Sequence, residues 1–476
     1  MNGRIEDLTG ITITAESGSK YRLVKQAGCG AQGVVYEESS GKYMVKLYYP
    51  SHCQDIEDDV IERLHFIMNI EIPANFVSVV DIINQPYTGY VMEKVCDHQP
   101  LNSYLIPDNK IPFCEWYNKG LGLYERLFVG YIIAKAFGEL EKSNLSYCDI
   151  SGNNILVKIS KGASVKMIDI DNIYIAGKGK AAVLGTPRYI APEIIQRKRN
   201  PDVLSDNYSL AVILFELLRV GHPYISDKVL DGTPEDEDTA LQGNADYVTD
   251  DNSTNMLPSK IVLTDKLEAL FSRCFVEGKK NRLCRPSARE FENALLEASN
   301  KVIKCPSCGA WHYPRKNGRS YEGCPWCDSP SHPNAMLNFY DILLDGDDYQ
   351  HPNAIVQGDK KPVNTYVLKQ NRKNLIKSLY VLRYDDMSKE RRTSENYVTI
   401  AHNEKGYHVY NEFSRNGVVV KPYGTSRFIA VEKSKPYLLK SGDEIYFEVG
   451  EPVTSVSCGG SNYSFIRMAR FMEVRS

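Results

Sequence analysis

The chain has 476 residues, of which 42% are hydrophobic and 25% charged, and its formal net charge is -3. That length exceeds what one hydrophobic core usually supports, so two or three domains are expected. The near balance of charge excludes a global electrostatic pull toward nucleic acid or membrane, and partners must therefore be sought at particular sites.

The start, "MNGRIEDLTG", has neither the basic region nor the apolar core of a secretory signal, and no run approaches the roughly 18 apolar residues of a spanning helix. A soluble, cytoplasmic protein is expected. Four of the 12 cysteines form two tight pairs near residues 305 to 327, and the rest are scattered without a framework spacing, which suits reduced thiols better than disulfides.

The first elements read as strands, "YRLVKQAG" and "GVVYEE", with Gly28, Gly30 and Gly33 in a GxGxxG spacing at their junction. Glycines there let backbone amides approach phosphate oxygens without Cβ clashes. A tight hairpin uses glycine too, and the dinucleotide-binding use of this spacing requires a helix directly afterwards, where this chain has a strand. "GKYMVKLYY" then sets Lys46 in another strand pattern, a cation suited to the α and β phosphates if a carboxylate fixes it. In the helical window "DDVIERLHFIM", Glu62 is the best partner and Glu57 the alternative. Farther on, helical patterns such as "GYIIAKAFGELEK" and "YSLAVILFELLRV" imply a larger helical lobe. Between them, "LSYCDISGNNILV" holds Asp149 and Asn154 in Asp-x-x-x-x-Asn spacing, and "VKMIDIDN" holds Asp169 after a strand-like run. Phosphoryl transfer needs a carboxylate near the acceptor hydroxyl and hard oxygen ligands for Mg²⁺, and these three residues can supply both. Residues 225 to 257 are acidic and rich in turn formers, and read as a surface insertion.

The segment "GTPRYIAPEII", residues 185 to 195, completes an ordered set, and with it residues 20 to 298 resemble the eukaryotic-type protein kinase family, whose corresponding segment ends in Ala-Pro-Glu. The resemblance implies an α+β, bilobal kinase fold over residues 10–300, with the small lobe ending near 95. It implies ATP and Mg²⁺ as cofactors. Gly28, Gly30 and Gly33 would cover the phosphates, Lys46 and Glu62 would form the activating ion pair, and Asp149 would be the catalytic base. Asn154 and Asp169 would be the magnesium ligands. "GYVMEKV" is similar to the segment joining the lobes, so Met92 would flank adenine while Glu93 to Val95 offer backbone hydrogen bonds. Thr186 and the segment to Glu193 would form a peptide-docking surface, Asp206 would anchor the catalytic loop, and Arg285 would pair with Glu193. Protein is the implied substrate, on serine or threonine.

The chain departs from the family at Tyr147-Cys148-Asp149, at Asp169-Ile170-Asp171, at Met44 over the adenine and at Ser151 after the base. These changes spare the residues that would hold metal, phosphate or the acceptor proton. An active kinase is therefore expected, with a nucleotide-binding pseudokinase scaffold as the competing class. Cys148 stands where the family's arginine would pair with a phosphorylated activation segment, so weak dependence on such phosphorylation is expected. Between Asp169 and Gly185 the one hydroxyl candidate is Tyr174.

"CPSCGAWHYPRKNGRSYEGCPWC" gives Cys305, Cys308, Cys324 and Cys327 as CxxC-x15-CxxC. Two such knuckles suit tetrahedral thiolate coordination, and a closed, structural zinc ribbon with bound Zn²⁺ is expected over 301–335. Trp311, His312 and Trp326 read as packing or surface residues, with His312 a minor alternative ligand. The basic run "HYPRKNGR" lacks an accompanying aromatic surface, so nucleic acid is not expected as a partner. From 336 to 476, alternating runs such as "ENYVTIA" and "DEIYFEVG" predict an all-β sandwich. "SENYVTI", "YNEFSRNGVVV" and "LKSGDEIYFE" resemble forkhead-associated domains, which read phosphothreonine peptides. That resemblance would put phosphate on Arg383 and Ser394 and peptide backbone on Asn416, with a phosphoprotein as ligand. A β-sandwich used for protein docking is the alternative.

Overall fold

The computed structural model describes residues 6–50, 57–160, 162–175, 185–317, 320–345, 355–358, 361–381, 396–413, 417–447, 455–458 and 461–474. The chain divides into two units, Met1–Ser299 and Asn300–Ser476.

The first unit opens with strands β1 (Thr12–Thr14), β2 (Lys20–Cys29), β3 (Gly33–Glu38) and β4 (Tyr43–Tyr48), then helix α1 (Glu57–Asn69), β5 (Val79–Ile83) and β6 (Gly89–Glu93). The strands form one antiparallel sheet in the order β1-β2-β3-β4-β6-β5. Alternate residues of these strands, among them Leu23, Val34, Tyr36, Val45, Leu47 and Val91, bury one face in a shared core, as a period-two pattern requires.

Behind β6 come β7 (Gln99–Pro100), α2 (Asn102–Leu105), α3 (Phe113–Lys119) and α4 (Leu123–Lys142), then β8 (Leu145–Ser146), β9 (Ile155–Ile159), β10 (Ala163–Met167) and β11 (Tyr174–Ile175). The short pairs β9–β10 and β8–β11 are antiparallel, and a 3₁₀ turn, Ile170–Asn172, separates β10 from β11. After α5 (Pro192–Ile195), helix α6 (Val203–Arg219) starts on a capping box in which Asp202 and Ser205 satisfy each other's backbone amides. Nearly every residue of α6 is buried, because its apolar run "LAVILF" wraps the whole helix and makes it the axis of the lobe.

The acidic segment 225–257 is largely exposed, as expected of a surface insertion, and is tied to this lobe through polar contacts. Asp227 accepts hydrogen bonds from the Thr254 amide and hydroxyl and from Asn255, while buried Arg219 pairs with Asp250 at 2.6 Å. A second capping box, Thr233 with Asp236, starts the helix Pro234–Thr239. Caps and Asx-type bonds carry order where apolar periodicity is absent.

The second unit begins with two small hairpins, β12 (Ile303–Lys304) with β13 (Trp311–His312), and β14 (Lys316–Asn317) with β15 (Ser320–Tyr321). Then follow β16 (Ala335–Asp345), β17 (Ile355–Gly358), β18 (Asn364–Leu368), β19 (Lys373–Lys377), β20 (Asn396–Asn403), β21 (Gly406–Tyr410), β22 (Val418–Lys421), β23 (Ile429–Ala430), β24 (Tyr437–Leu438), β25 (Glu444–Phe447), β26 (Ser455–Cys458) and β27 (Ser461–Glu473). One antiparallel sheet runs β17-β16-β27-β25-β22-β23, with β18 beside β16 and β26 beside β27, and a second runs β19-β20-β21-β24. Ring contacts Tyr407–Phe471 and Tyr397–Phe447 join the two sheets into a sandwich. The cysteine segment belongs to this same unit, where Lys369 lies over the Trp311 ring at 5.3 Å. Arg383, Ser394 and Asn416 lie outside the described residues.

Candidate active site

Between the six-stranded sheet and the helical lobe lies a cleft of ≈ 1190 Å³. Its roof is the β2–β3 turn, where the Gly30 amide donates to the Gly33 carbonyl at 2.9 Å. The three glycines have different reasons to be glycine. A Cβ on Gly33 would lie 2.1 Å from the Leu47 carbonyl oxygen, so Gly33 is required by the approach of β4, whereas a Cβ on Gly28 or Gly30 would meet nothing within 4 Å. Met44 and Met92, facing each other across the β4–β6 register, line the inner wall with Glu93 and Val95 from the segment joining the lobes.

The floor comes from the β8–β9 connection. Asp149 is half-buried and doubly held: the Thr186 hydroxyl donates to its Oδ1 at 2.8 Å and the Asn154 amide to its Oδ2 at 3.0 Å. The Asn154 nitrogen also donates to the Asp149 carbonyl at 2.9 Å, so both of its known bonds are to Asp149 and its side-chain oxygen keeps the acceptor role. Asp206, wholly buried on α6, accepts from the amides of Tyr147 at 2.6 Å and Cys148 at 3.1 Å. Those bonds support Cys148 in a left-handed conformation at φ 68°, a strain that the surrounding structure must over-determine. Burial pushes the Asp206 carboxyl up to about 7, against the pull of the two amides.

Tyr147 and Cys148 show what replaces the family's usual pair. Tyr147 is buried against Phe76 and Phe137, and its hydroxyl donates to the Ile168 carbonyl, tying the loop to the segment that carries Asp169. Cys148 is a buried thiol whose ionisation burial pushes far up, so it brings no charge to the loop.

Lys46 departs from expectation. Glu62 is exposed on α1 and does not pair with it, and the Glu57 side chain lies outside the described ones. The Lys46 ammonium instead bonds both oxygens of Asp171 at 3.1 and 3.0 Å, Asp169 Oδ1 at 3.2 Å and Gln32 Oε1 at 3.2 Å. The reason is burial: Lys46 and Asp171 are 6% and 2% exposed, and a buried ammonium is held by whichever carboxylate shares its low-dielectric site. Tyr48 and Tyr90 hydroxyls complete the Asp171 carboxylate at 2.6 and 3.2 Å. Burial would raise Asp171, but Lys46 and the Tyr48 hydroxyl, with Arg63 of α1 at longer range, hold it below the usual carboxylate range. Burial raises Asp169, with Lys46 opposing and the Asp171 charge adding to it.

Sequence reasoning missed Asp171, Tyr48 and Tyr90 as a group. The signal was available in part: Lys46 and Tyr48 share one face of β4 two residues apart, and Tyr90 sits opposite Lys46 in register. Nothing local placed Asp171 beside them. Two carboxylates, Asp169 and Asp171, thus contact one ammonium, and the Asp149 charge is felt at Asp169; an excess of hard oxygen donors of this kind suits a divalent cation.

Lower in the lobe, Arg285 grips Glu193 with two bonds of 2.7 Å and donates to the Leu204 carbonyl at 2.9 Å. In the second unit the sulfurs of Cys305, Cys308, Cys324 and Cys327 all lie within 4.8 Å of one another. Cys305 with Cys327, and Cys308 with Cys324, are 3.7 Å apart, against the ~3.8 Å edge of a tetrahedron with 2.3 Å zinc–sulfur bonds. The two knuckles repeat one geometry: the amides of Gly309 and Asp328 donate back to Cys305 and Cys324, and both residues have positive φ. His312 is turned elsewhere, with its ring nitrogens on Ser331 and the Tyr313 carbonyl.

Residues 21–294 match the protein kinase domain family. The chain is 23% identical over 279 residues to the serine/threonine-protein kinase CLA4 of Candida albicans, covering 53% of this chain and 24% of that protein. It is 29% identical over 226 residues to the serine/threonine-protein kinase atg1 of Dictyostelium discoideum, covering 44% and 32%. To the DNA damage response protein kinase DUN1 of Saccharomyces cerevisiae it is 24% identical over 281 residues, covering 51% and 52%. The chain therefore spans less than a third of the first two relatives and about half of the third. Among the described residues no helix is long and apolar enough to cross a membrane.

Proposed function

Because this chain belongs to the protein kinase domain family, we propose that it transfers the γ-phosphate of Mg-ATP to serine or threonine hydroxyls of a protein substrate. The observation that carries this reading is the doubly held Asp149 carboxylate on the floor of a cleft that also holds Lys46 and Asp169. Gly28 and Gly30 leave the roof open to phosphate oxygens, and Lys46 neutralises charge on the α and β phosphates. Asp149 accepts the hydrogen bond of the incoming hydroxyl, orients it in line and takes its proton as the hydroxyl oxygen bonds the γ-phosphorus and the bridging bond to the β-phosphate breaks, releasing ADP. Thr186 keeps Asp149 from turning away. Asp169 and Asn154 would hold magnesium, which when bound neutralises the charge on the triphosphate.

Transfer of radiolabel from γ-labelled ATP tests the reading. Asp149→Ala should lose roughly a thousandfold in rate, as removal of a general base does, and Asp169→Ala should abolish transfer. Tyr174→Phe should retain activity, because uncharged Cys148 offers no partner to a phosphorylated residue; a loss like that of Asp149→Ala would overturn this independence. Tight Mg-ATP binding by the wild type without transfer to itself or to generic acceptors would make the chain a binding scaffold instead.

The second unit supports two further assignments. The four cysteine sulfurs fit a structural zinc ion, which needs no open position and supplies no chemistry to the cleft. The β-sandwich is read as a recognition module for a phosphoprotein, including the chain's own phosphorylated segments. The cysteine usage fits work in the reducing cytoplasm, where thiolates remain available to zinc.

A further inference from the structure

We infer that Asp171 is the positioning residue of the nucleotide-anchoring lysine, taking the place of a carboxylate from helix α1. The inference rests on the kinase reading of the cleft and adds to it a second function for the segment after Asp169.

A flexible lysine binds phosphate productively only when a fixed carboxylate sets its direction. On α1, Glu62 is exposed, and among the described side chains of that helix the charge felt at Asp171 is the cation Arg63. Asp171 is in the opposite condition. It is fully enclosed and contacts Lys46 through both oxygens, and its remaining lone pairs take the hydroxyls of Tyr48 and Tyr90. A carboxylate with every acceptor site filled by buried donors cannot swing, so the ammonium it holds is fixed too.

The neighbours reinforce the arrangement. Asn172 accepts from Gln32 Nε2 at 3.2 Å, and Gln32 Oε1 in turn accepts from Lys46 at 3.2 Å. The 3₁₀ turn Ile170–Asn172 thereby connects to the glycine-rich roof and to β4 at once. Asp169, entering that turn at φ 56°, presents its carboxylate to Lys46 from the other side. One short segment therefore supplies both the metal-side carboxylate and the lysine's anchor. The consequence is regulatory: movement of α1 does not make or break the ion pair, whereas any rearrangement of residues 169 to 172 disturbs metal and lysine sites together.

The test is the dissociation constant for Mg-ATP of the full chain, measured by titration calorimetry, with kcat and KM alongside. Asp171→Asn should weaken Mg-ATP binding roughly a hundredfold, as loss of one partner from a buried pair does, while Glu62→Gln and Glu57→Gln stay within twofold of wild type. A residue with a merely structural role would add its effect to that of Lys46→Met. One acting through Lys46 would not, so Lys46→Met and the double variant with Asp171→Asn should bind equally weakly. Additive losses in the double variant, or a large loss in Glu62→Gln or Glu57→Gln with Asp171→Asn near wild type, would overturn the inference alone. Failure of the wild type to bind Mg-ATP would overturn the kinase reading and this inference with it.

Discussion

The cysteine cluster and the nucleotide cleft reach their geometry by opposite routes. Cys305 and Cys327 are 22 positions apart, and each pair sits on a knuckle whose turn is closed by its own backbone bonds. Lys46 and Asp171 are 125 positions apart and meet only because a strand of the sheet and a turn of the helical lobe are brought to one buried point. Spacing suffices to assemble the first kind of site. The second is specified by packing, so the partner of a buried charge is decided by what else is buried with it. Each prediction below breaks one side of this contrast.

The largest effect is expected at the local site. Structural zinc contributes on the order of 10 kcal/mol in zinc-finger peptides, and its loss unfolds the segment that holds it. The purified chain should carry one zinc per molecule, and a chelator or a Cys305→Ser, Cys327→Ser variant should release it and change the fluorescence of Trp311 and Trp326. Full zinc content in that double variant would show that the four sulfurs are not the ligands.

How much was legible follows the same line. The order of strands and helices, the cysteine quartet, and the pairing of Glu193 with Arg285 could be anticipated from patterns and family resemblance, because each rests on periodicity or on a motif that keeps its letters. Glu62 could not be rejected from sequence, since a carboxylate in a helical window looks the same whether it faces the core or water. Asp171 was visible only as a missing glycine. The ordered acidic segment was illegible for a different reason: its structure rests on caps and side chain to backbone bonds, which leave no apolar period.

The next effect in size concerns the long-range side. Asp206 reaches 59 positions back to the Tyr147 amide, and its carboxyl is raised by burial to about 7. Unfolded, it titrates near the ordinary aspartate value of 3.8, so between these values the folded chain binds more protons than the unfolded one. Stability should therefore fall as pH rises from about 4 to about 7, by roughly 4 kcal/mol from this group. Asp206→Asn should be less stable at low pH, because an amide offers one acceptor to the two backbone donors, but it should lose this part of the slope. Urea unfolding at pH 5 and pH 7.5 measures both. Parallel pH dependence in the two proteins would mean that Asp206 stays ionised throughout.

The smallest effect separates local from long-range demands within a single turn. Gly30 and Gly33 belong to one GxGxxG motif, and local reasoning treats them alike. The structure does not: a Cβ at Gly33 meets the Leu47 carbonyl at 2.1 Å, a backbone atom of the neighbouring strand that cannot rotate away, while Gly30 faces open space. Gly33→Ala should thus destabilise the sheet by about 1–3 kcal/mol, the usual cost of overpacking, and weaken Mg-ATP binding only as far as the sheet is disturbed. Gly30→Ala should leave stability within about 0.5 kcal/mol, as surface changes do, and on the proposed kinase reading should act on the nucleotide instead, because its new methyl group would stand where phosphate oxygens approach the roof. Thermal unfolding paired with Mg-ATP titration reads the two effects separately. Equal loss of stability in both variants would return the motif to a purely local explanation.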